Sequence, residues 1–176
     1  MLIRTATHRD GDAIRRIHRA AFADEEKDIV AELALNLLHE DTTPPTISLV
    51  AESPDRVVGH VAFSPVKMGS DETLQGYILA PLAVLPEYQN KRVGSKLIEA
   101  GQQRLLKQGV QLLFVYGDPH YYGRFGFSTD DAALYAAPYT LQFPFGWQAL
   151  ALIRGSSPDS PVTITCVASL SDPQLW

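Results

Sequence analysis

A chain of 176 residues with a formal net charge of −5 is long enough to bury a core of its own. Its acidic balance excludes nucleic acid as the main partner, because a phosphate backbone rewards dense Lys/Arg patches. Hydrophobic residues make up 45% and charged residues 20%, the proportions of a soluble globular domain. A lone cysteine, Cys166, cannot form an intrachain disulfide. No apolar run reaches the roughly 18 residues of a membrane span, and the N-terminus lacks a charged-then-apolar signal pattern. The expectation is one cytoplasmic domain over residues 1–176 with no membrane partner.

In chain order, Leu2-Ile3-Arg4 reads as a short opening strand. Thr7 is placed to cap a helix, with Asp10 three residues on as the reciprocal acid. Ala13, Ile14, Ile17, Ala20 and Ala21 make the apolar stripe of that helix, to about Phe22, and Ile29, Val30, Leu33, Leu37 and Leu38 make the stripe of a second. Strands follow over Ile47–Ala51 and Val57–Val66, joined by the turn Ser53-Pro54-Asp55-Arg56. Gly69-Ser70-Asp71-Glu72 is a connector.

The nearly continuous apolar run Ile78, Leu79, Leu82, Val84 and Leu85 reads as a strand buried on both faces, stopped by Pro86. Val93, Leu97, Ile98, Gly101 and Leu105 stack at helical spacing, with Lys96, Glu99, Gln103 and Lys107 on the other side and Gln108-Gly109 as the C-cap. Between strand and helix lies Gln89-Asn90-Lys91-Arg92-Val93-Gly94. A basic turn that opens a helix offers several backbone N–H groups, with positive partial charge, to one anion. That pattern predicts a phosphate cradle.

Leu112–Tyr116 is a short buried strand. In the following Gly117–Phe127, Pro119 starts a short helix that Gly126 ends, and Asp118 is placed to cap it. Ser156–Pro161 is loop-like; Gln148–Ile153 and Val162–Val167 are late strands that could form a hairpin. The order β-α-α-β-β-β-α-β-α-β-β predicts an α/β domain on a mixed, mostly antiparallel sheet flanked by helices. The five histidines lack metal-ligand spacing. Cys166 suits a buried small residue better than a nucleophile. Tyr135, Tyr139, Phe143, Phe145 and Trp147 can line an acceptor pocket, pack a core or form a dimer contact.

These motifs carry a resemblance. The GNAT superfamily of acyl-CoA N-acyltransferases has a signature of Gln or Arg, two residues, Gly, one residue, then Gly or Ala, between its fourth strand and third helix. Gln89 and Gly94 fit it, and Arg92 stands where the first glycine is usual. A Tyr four residues before a Gly-Phe pair is matched by Tyr122 with Gly126-Phe127. Val58–Val66, Leu82–Gln89 and Gly117–Phe127 further resemble the YhbS-like branch. The resemblance covers about residues 1–130 well and the rest loosely.

It implies the GNAT fold, splayed near the cofactor cleft, and acetyl transfer from acetyl-CoA to a primary amine of a small-molecule or protein acceptor by direct attack in a ternary complex. Backbone N–H groups from Gln89 through Asn90, Lys91, Arg92, Val93 and Gly94 would hold the pyrophosphate, helped by the cations of Lys91 and Arg92 and the hydroxyl of Ser95. Backbone groups of Leu82, Ala83 and Val84 would pair with the pantetheine arm. Tyr122 would give a proton to the leaving sulfur, with Tyr121 as its rival. Glu25, Glu26 and His60 are the candidate bases; each also has a structural reading, the glutamates as a solvated helix start and His60 as a core residue. Arg92 either points outward and helps a phosphate or obstructs the turn. A homodimer is allowed. The alternative on the same fold is a non-catalytic acyl-CoA sensor or interaction module.

Overall fold

The computed structural model describes residues 1–70, 75–155 and 158–176. Asp71 and Glu72 of the expected connector, and Ser156 and Ser157 of the expected loop, lie outside the described residues. The chain divides into two compact units, one of Met1–Phe63 with Ala80–Gly101, the other of Ser64–Leu79 with Gln102–Trp176.

The first unit begins with β1 (Leu2–Thr5), a 3-10 turn (His8–Asp10), α1 (Gly11–Ala21) and α2 (Lys27–His39). β2 (Ile47–Glu52) pairs antiparallel with β1 and with β3 (Val57–Met68), the latter from Ile47 opposite Phe63. Arg4 locks the entry. Its Nη1 and Nη2 donate to both Asp10 carboxylate oxygens at 2.9 and 2.8 Å, and its Nε donates to Glu52 at 2.8 Å. Thr7 N–H donates to the same Asp10 at 2.7 Å, the reciprocal bond expected at that helix start. The Arg4 hydrogen bond holds the Asp10 carboxyl down at about 2, below the ordinary range. α1 buries Ile14, Ile17 and His18; α2 buries Ala31, Leu33, Ala34, Leu35 and Leu37, a wider face than its expected stripe.

β4 (Gly76–Val84) ends in this unit and leads through a 3-10 turn (Pro86–Tyr88) to α3 (Val93–Lys107). α3 sits close on β3 because two glycines make room. A Cβ on Gly59 would lie 3.1 Å from Leu97 and Val93, and a Cβ on Gly101 would lie 2.0 Å from the Phe63 ring. Val93, Leu97, Ile98 and Gly101 are buried as the helical spacing predicts.

The second unit contains β5 (Leu112–Tyr116), α4 (Pro119–Tyr122), α5 (Thr129–Ala132), the short β6 (Tyr135–Ala136), β7 (Trp147–Ala151) and β8 (Val162–Thr165). β5 pairs parallel with Gly76–Leu79 of β4 and antiparallel with β7. Strand order β1-β2-β3-β4-β5-β7 therefore makes the mixed sheet that the element order predicts. The late strands are not a hairpin: β7 pairs β5, and β8 pairs β3 and β6. The β6 and α5 elements are too short to leave a periodic signal. Phe114 stacks on Trp147 at 5.4 Å and meets Tyr135 edge-on at 5.4 Å, and Trp147 Nε1 donates to Tyr135 O at 2.7 Å. Gly109 (φ +80°) and Gly126 (φ +90°) terminate α3 and the turn after α4, where left-handed backbone favours glycine.

The contact at Gly101 generates a packing prediction. Gly101→Ala drives a methyl into Phe63 and costs about 1–3 kcal/mol. Urea denaturation should show the loss, and Phe63→Leu in the Gly101→Ala background should recover part of it. An unchanged midpoint would contradict the packing described.

Candidate functional site

The turn before α3 has unusual backbone. Asn90 (φ +58°) and Arg92 (φ +61°) both occupy the left-handed region. For a residue with a Cβ this costs about 1–2 kcal/mol, which is the physical reason for glycine at the signature position that Arg92 holds. The turn is pinned to the strand end by Gln89 Nε2, which donates to Val84 O at 3.0 Å. Tyr88 N–H and Gln89 N–H close the preceding 3-10 turn on Leu85 O and Pro86 O. From Asn90 to Ser95 the picture changes. Among the described residues, none of these consecutive N–H groups makes a well-formed hydrogen bond to a carbonyl or side chain. They are the orphan donors of a helix start, extended by the preceding turn residues.

Side chains around the turn are cationic and outward. The Arg92 side chain is 77% exposed, and its one ion pair, to Glu99 Oε1, is loose at 3.6 Å. Lys91 Nζ lies 5.4 Å from the centroid of the Tyr88 ring, and the Arg56 guanidinium lies 5.7 Å from it. Arg56 also pairs with Glu87 of the preceding 3-10 turn at 2.6 Å. Arg56 and Tyr88 escaped the sequence reading because nothing in their spacing joins a strand-turn residue to a turn 32 positions on. Leu82 is half-buried, while Ala83 and Val84 are buried.

His60, a candidate base, is fully buried. Its Nδ1 shares a hydrogen bond of 2.8 Å with His18 Nε2, and its Nε2 one of 2.8 Å with Ser48 Oγ. Burial, and then the neighbouring His18, hold His60 well below the ordinary histidine range, and burial holds His18 down at about 3. Both rings are therefore neutral at pH 7. This is a core polar chain, not a solvent-facing base, and His18 Nδ1 within it has no partner among the described residues. His18 was legible in principle: it falls one helical turn after Ile14, on the buried stripe of α1. Glu25 and Glu26 lie in the turn before α2 with exposed side chains. The ion pairs of that region belong to Asp24 with Lys27 and Asp28 with Arg19.

In the second unit, Tyr122 has a prepared seat. Asp118 caps α4 as expected, its Oδ1 accepting from His120 N–H at 2.9 Å, with Pro119 at the first position. The Tyr122 ring lies against Gly117, where a Cβ would stand 2.5 Å from Cε2. Tyr121 and Phe127 meet the ring edge-on at 5.0 and 5.8 Å. Gly117 thus leaves the room that the Tyr122 ring fills. Burial raises the Tyr122 phenol above its ordinary range, with Tyr121 adding to it, so the hydroxyl keeps its proton at neutral pH. Tyr121 differs: its ring carries the Arg124 guanidinium at 4.7 Å.

Other candidates separate cleanly. Cys166 is half-buried just after β8, and burial pushes its thiol up to about 12, away from nucleophile chemistry. Of the aromatic cluster, Tyr135 and Trp147 are core and Phe143 and Phe145 are exposed. A cleft of about 460 Å³ at the start of β5 is lined in part by Tyr135 of the aromatic cluster and by none of the residues expected to bind the cofactor or move a proton. Among the described residues no group of His, Cys, Asp and Glu could hold a metal ion, and no helix is long and apolar enough to cross a membrane.

With this geometry established, comparison with known proteins is informative. Residues 2–129 match the family described as Acetyltransferase (GNAT) domain. The uncharacterized N-acetyltransferase YjhQ of Escherichia coli K12 is 36% identical over 167 residues, 93% of this chain and 88% of that protein. YhbS of the same strain, also an uncharacterized N-acetyltransferase, is 36% identical over 128 residues, 72% of this chain and 73% of that protein. The crystal structure of E. coli YhbS in complex with CoA superposes with a TM-score of 0.83 at 26% identity, covering 97% of this chain and 92% of that one. A GNAT family acetyltransferase of Brucella melitensis in complex with acetyl-CoA gives 0.69 at 30% identity, covering 97% of each chain. The chain belongs to the GNAT family of acetyltransferases.

Proposed function

We propose that this protein transfers an acetyl group from acetyl-CoA to a primary amine. The observation that carries the reading is the run of backbone N–H groups from Asn90 to Ser95 that make no well-formed hydrogen bond among the described residues, at a turn with two left-handed residues. Such donors, at the positive end of α3, fit a pyrophosphate. Related proteins crystallised with CoA and acetyl-CoA support that identity of the anion. Lys91 and Arg92 add cations, and Ser95 adds a hydroxyl at the helix start. The backbone of Leu82, Ala83 and Val84 is assigned to the pantetheine arm as an added strand partner.

Acetyl-CoA supplies an activated thioester. The residues supply positions and protons. A neutral amine attacks the thioester carbonyl, the C–S bond breaks, and the amine loses a proton while the sulfur gains one. Tyr122 Oη holds the proton for the sulfur; its raised pKa keeps it a donor, at the cost of a less acidic phenol. Glu25 and Glu26, exposed before α2, can take the amine proton through water or attract a protonated amine. His60, closed off by His18 and Ser48, is assigned to holding α1 on β2 and β3.

Two outcomes follow. Thiol release from acetyl-CoA in the presence of an amine panel should be detectable, and Tyr122→Phe should lower kcat by about 10²-fold, the size of a general-acid contribution, with acetyl-CoA affinity nearly unchanged. Acetyl-CoA binding without any amine-dependent turnover would instead identify a non-catalytic binding module. Arg92→Gly relieves backbone strain but removes an outward cation. Calorimetry should show weaker acetyl-CoA binding, by about threefold to tenfold, on the scale of one exposed charge contact. A large gain in affinity would show that the arginine obstructs the turn.

A further inference from the structure

The end of β5 that leads into α4 is tied to a buried amide. Gln148, on β7, is 1% exposed, and a buried amide costs free energy unless its donors are used. It lies opposite Val115 in the antiparallel ladder, one pair before the last, Tyr116 opposite Trp147. Its side chain reaches past that end. Nε2 donates to Gly117 O at 3.1 Å and to Gly146 O at 3.3 Å, and Gly117 N–H donates to Gly146 O at 2.9 Å. One amide nitrogen carries the two donors that this join uses. The two segments come close because neither has a side chain there. A Cβ on Gly146 would lie 3.0 Å from the Tyr116 ring and 3.1 Å from Gly117 O.

The same join sets the place of Tyr122. Gly117 O belongs to the peptide group shared with Asp118, and Asp118 O accepts from Tyr121 N–H and Tyr122 N–H, both at 3.0 Å. Fixing that peptide group fixes the start of α4. The ring is held by the same residue: a Cβ on Gly117 would stand 2.5 Å from Cε2 and 3.0 Å from Cδ2 of Tyr122. Gly117 is not among the glycines with left-handed backbone, so the ring, not the backbone, requires the missing side chain. Among the described residues Gln148 alone donates to Gly117 O. Backbone and ring of Tyr122 thus both depend on Gly117, and Gly117 is clamped by Gln148.

We propose that Gln148 and Gly117 are positioning residues for Tyr122: Gln148 clamps the peptide group from which α4 starts, and Gly117 seats the ring, so that the hydroxyl is held in one place. This rests on the reading of Tyr122 as the group that holds the sulfur's proton. A hydroxyl is a useful donor only within hydrogen-bond reach of the atom it protonates, and a displacement of about 1 Å can cost about 10²-fold. Neither residue is assigned a contact with the sulfur; each acts through the phenol.

The test reads the sulfur directly and needs no acceptor. The full chain is saturated with CoA, and the thiolate absorbance of the bound CoA is followed against pH, with S-methyl-CoA, which has no free thiol, as the blank. A phenol that donates to the sulfur stabilises the thiolate, so wild type should hold about tenfold more thiolate at a given pH than Tyr122→Phe. Gly117→Ala and the nearly volume-conserving Gln148→Met should each lose most of that gain while binding CoA with near wild-type affinity. In the Tyr122→Phe background neither should change the thiolate further, a coupling that a general loosening of the fold would not produce. Identical titrations of wild type and Tyr122→Phe would overturn the acid reading, and the positioning with it. If those two differ, the positioning alone is overturned when Gln148→Met keeps the full wild-type thiolate, or lowers it equally with and without the Tyr122 hydroxyl. Gln148→Met decides this even where Gly117→Ala fails to fold, and a folded Gly117→Ala with the full wild-type thiolate would remove Gly117 from the proposal.

Discussion

The close seating of α3 on β3 is the constraint on which the rest depends. A Cβ on Gly59 of β3 would press on Val93 and Leu97 of α3, and a Cβ on Gly101 of α3 would press on Phe63 of β3. A helix held that close fixes where its first turn begins, and Gln89 fastens the preceding residues to the end of β4 through Val84 O. Between these two anchors Asn90 and Arg92 take left-handed backbone. Strain of this kind persists only where the surrounding structure over-determines it. Beside it stands a set of N–H groups without a well-formed hydrogen bond among the described residues. The packing of α3 on β3, the strained turn and the anion site proposed there thus belong to one helix–strand contact.

The two units treat polar groups in different ways. In the first, the buried ionisable side chains are largely spent on one another. Arg4, Asp10 and Glu52 satisfy one another, and Ser48, His60 and His18 form a closed, neutral chain. Such a chain orients α1 without adding a charge to the core, where an unpaired charge would cost several kcal/mol. In the second, one hydroxyl is kept protonated by its surroundings. Tyr122 sits on Gly117 among aromatic rings, and the burial that fixes its position also raises its pKa. The burial that holds the Tyr122 phenol in place also makes it a weaker acid than a free tyrosine.

Much of this was readable in the sequence, and the failures have physical causes. The long apolar run before Pro86 and the stripe from Val93 to Leu105 gave β4 and α3 their type and limits, because buried parallel strands and amphipathic helices leave strong periodic signals. Asp118 and Gly126 were recognisable from capping chemistry alone. The route of the late strands was not. β7 joins β5, and β8 joins β3 and β6, by long-range pairing that no local pattern encodes. The role of His60 likewise turned on a partner 42 residues away in sequence. The aromatic cluster could not be divided into core and surface from composition. Trp147 and Tyr135 stack with Phe114 inside, while Phe143 and Phe145, on either side of Pro144, are left outside. Arg92 is the instructive departure. Its place in the signature was legible, but its left-handed backbone, which explains the glycine usual there, is visible only in the fold.

The most direct test of the anion cradle is an amide titration. Backbone ¹H–¹⁵N resonances of Asn90 to Ser95 are followed as acetyl-CoA is added, with acetyl-pantetheine, which lacks the pyrophosphate, as the control. Donors that gain a charged acceptor should move downfield together, saturate at one equivalent of acetyl-CoA, and stay in place with acetyl-pantetheine. Amides that remain fixed while acetyl-CoA binds elsewhere, or that respond equally to both compounds, would contradict the assignment of this turn to the pyrophosphate.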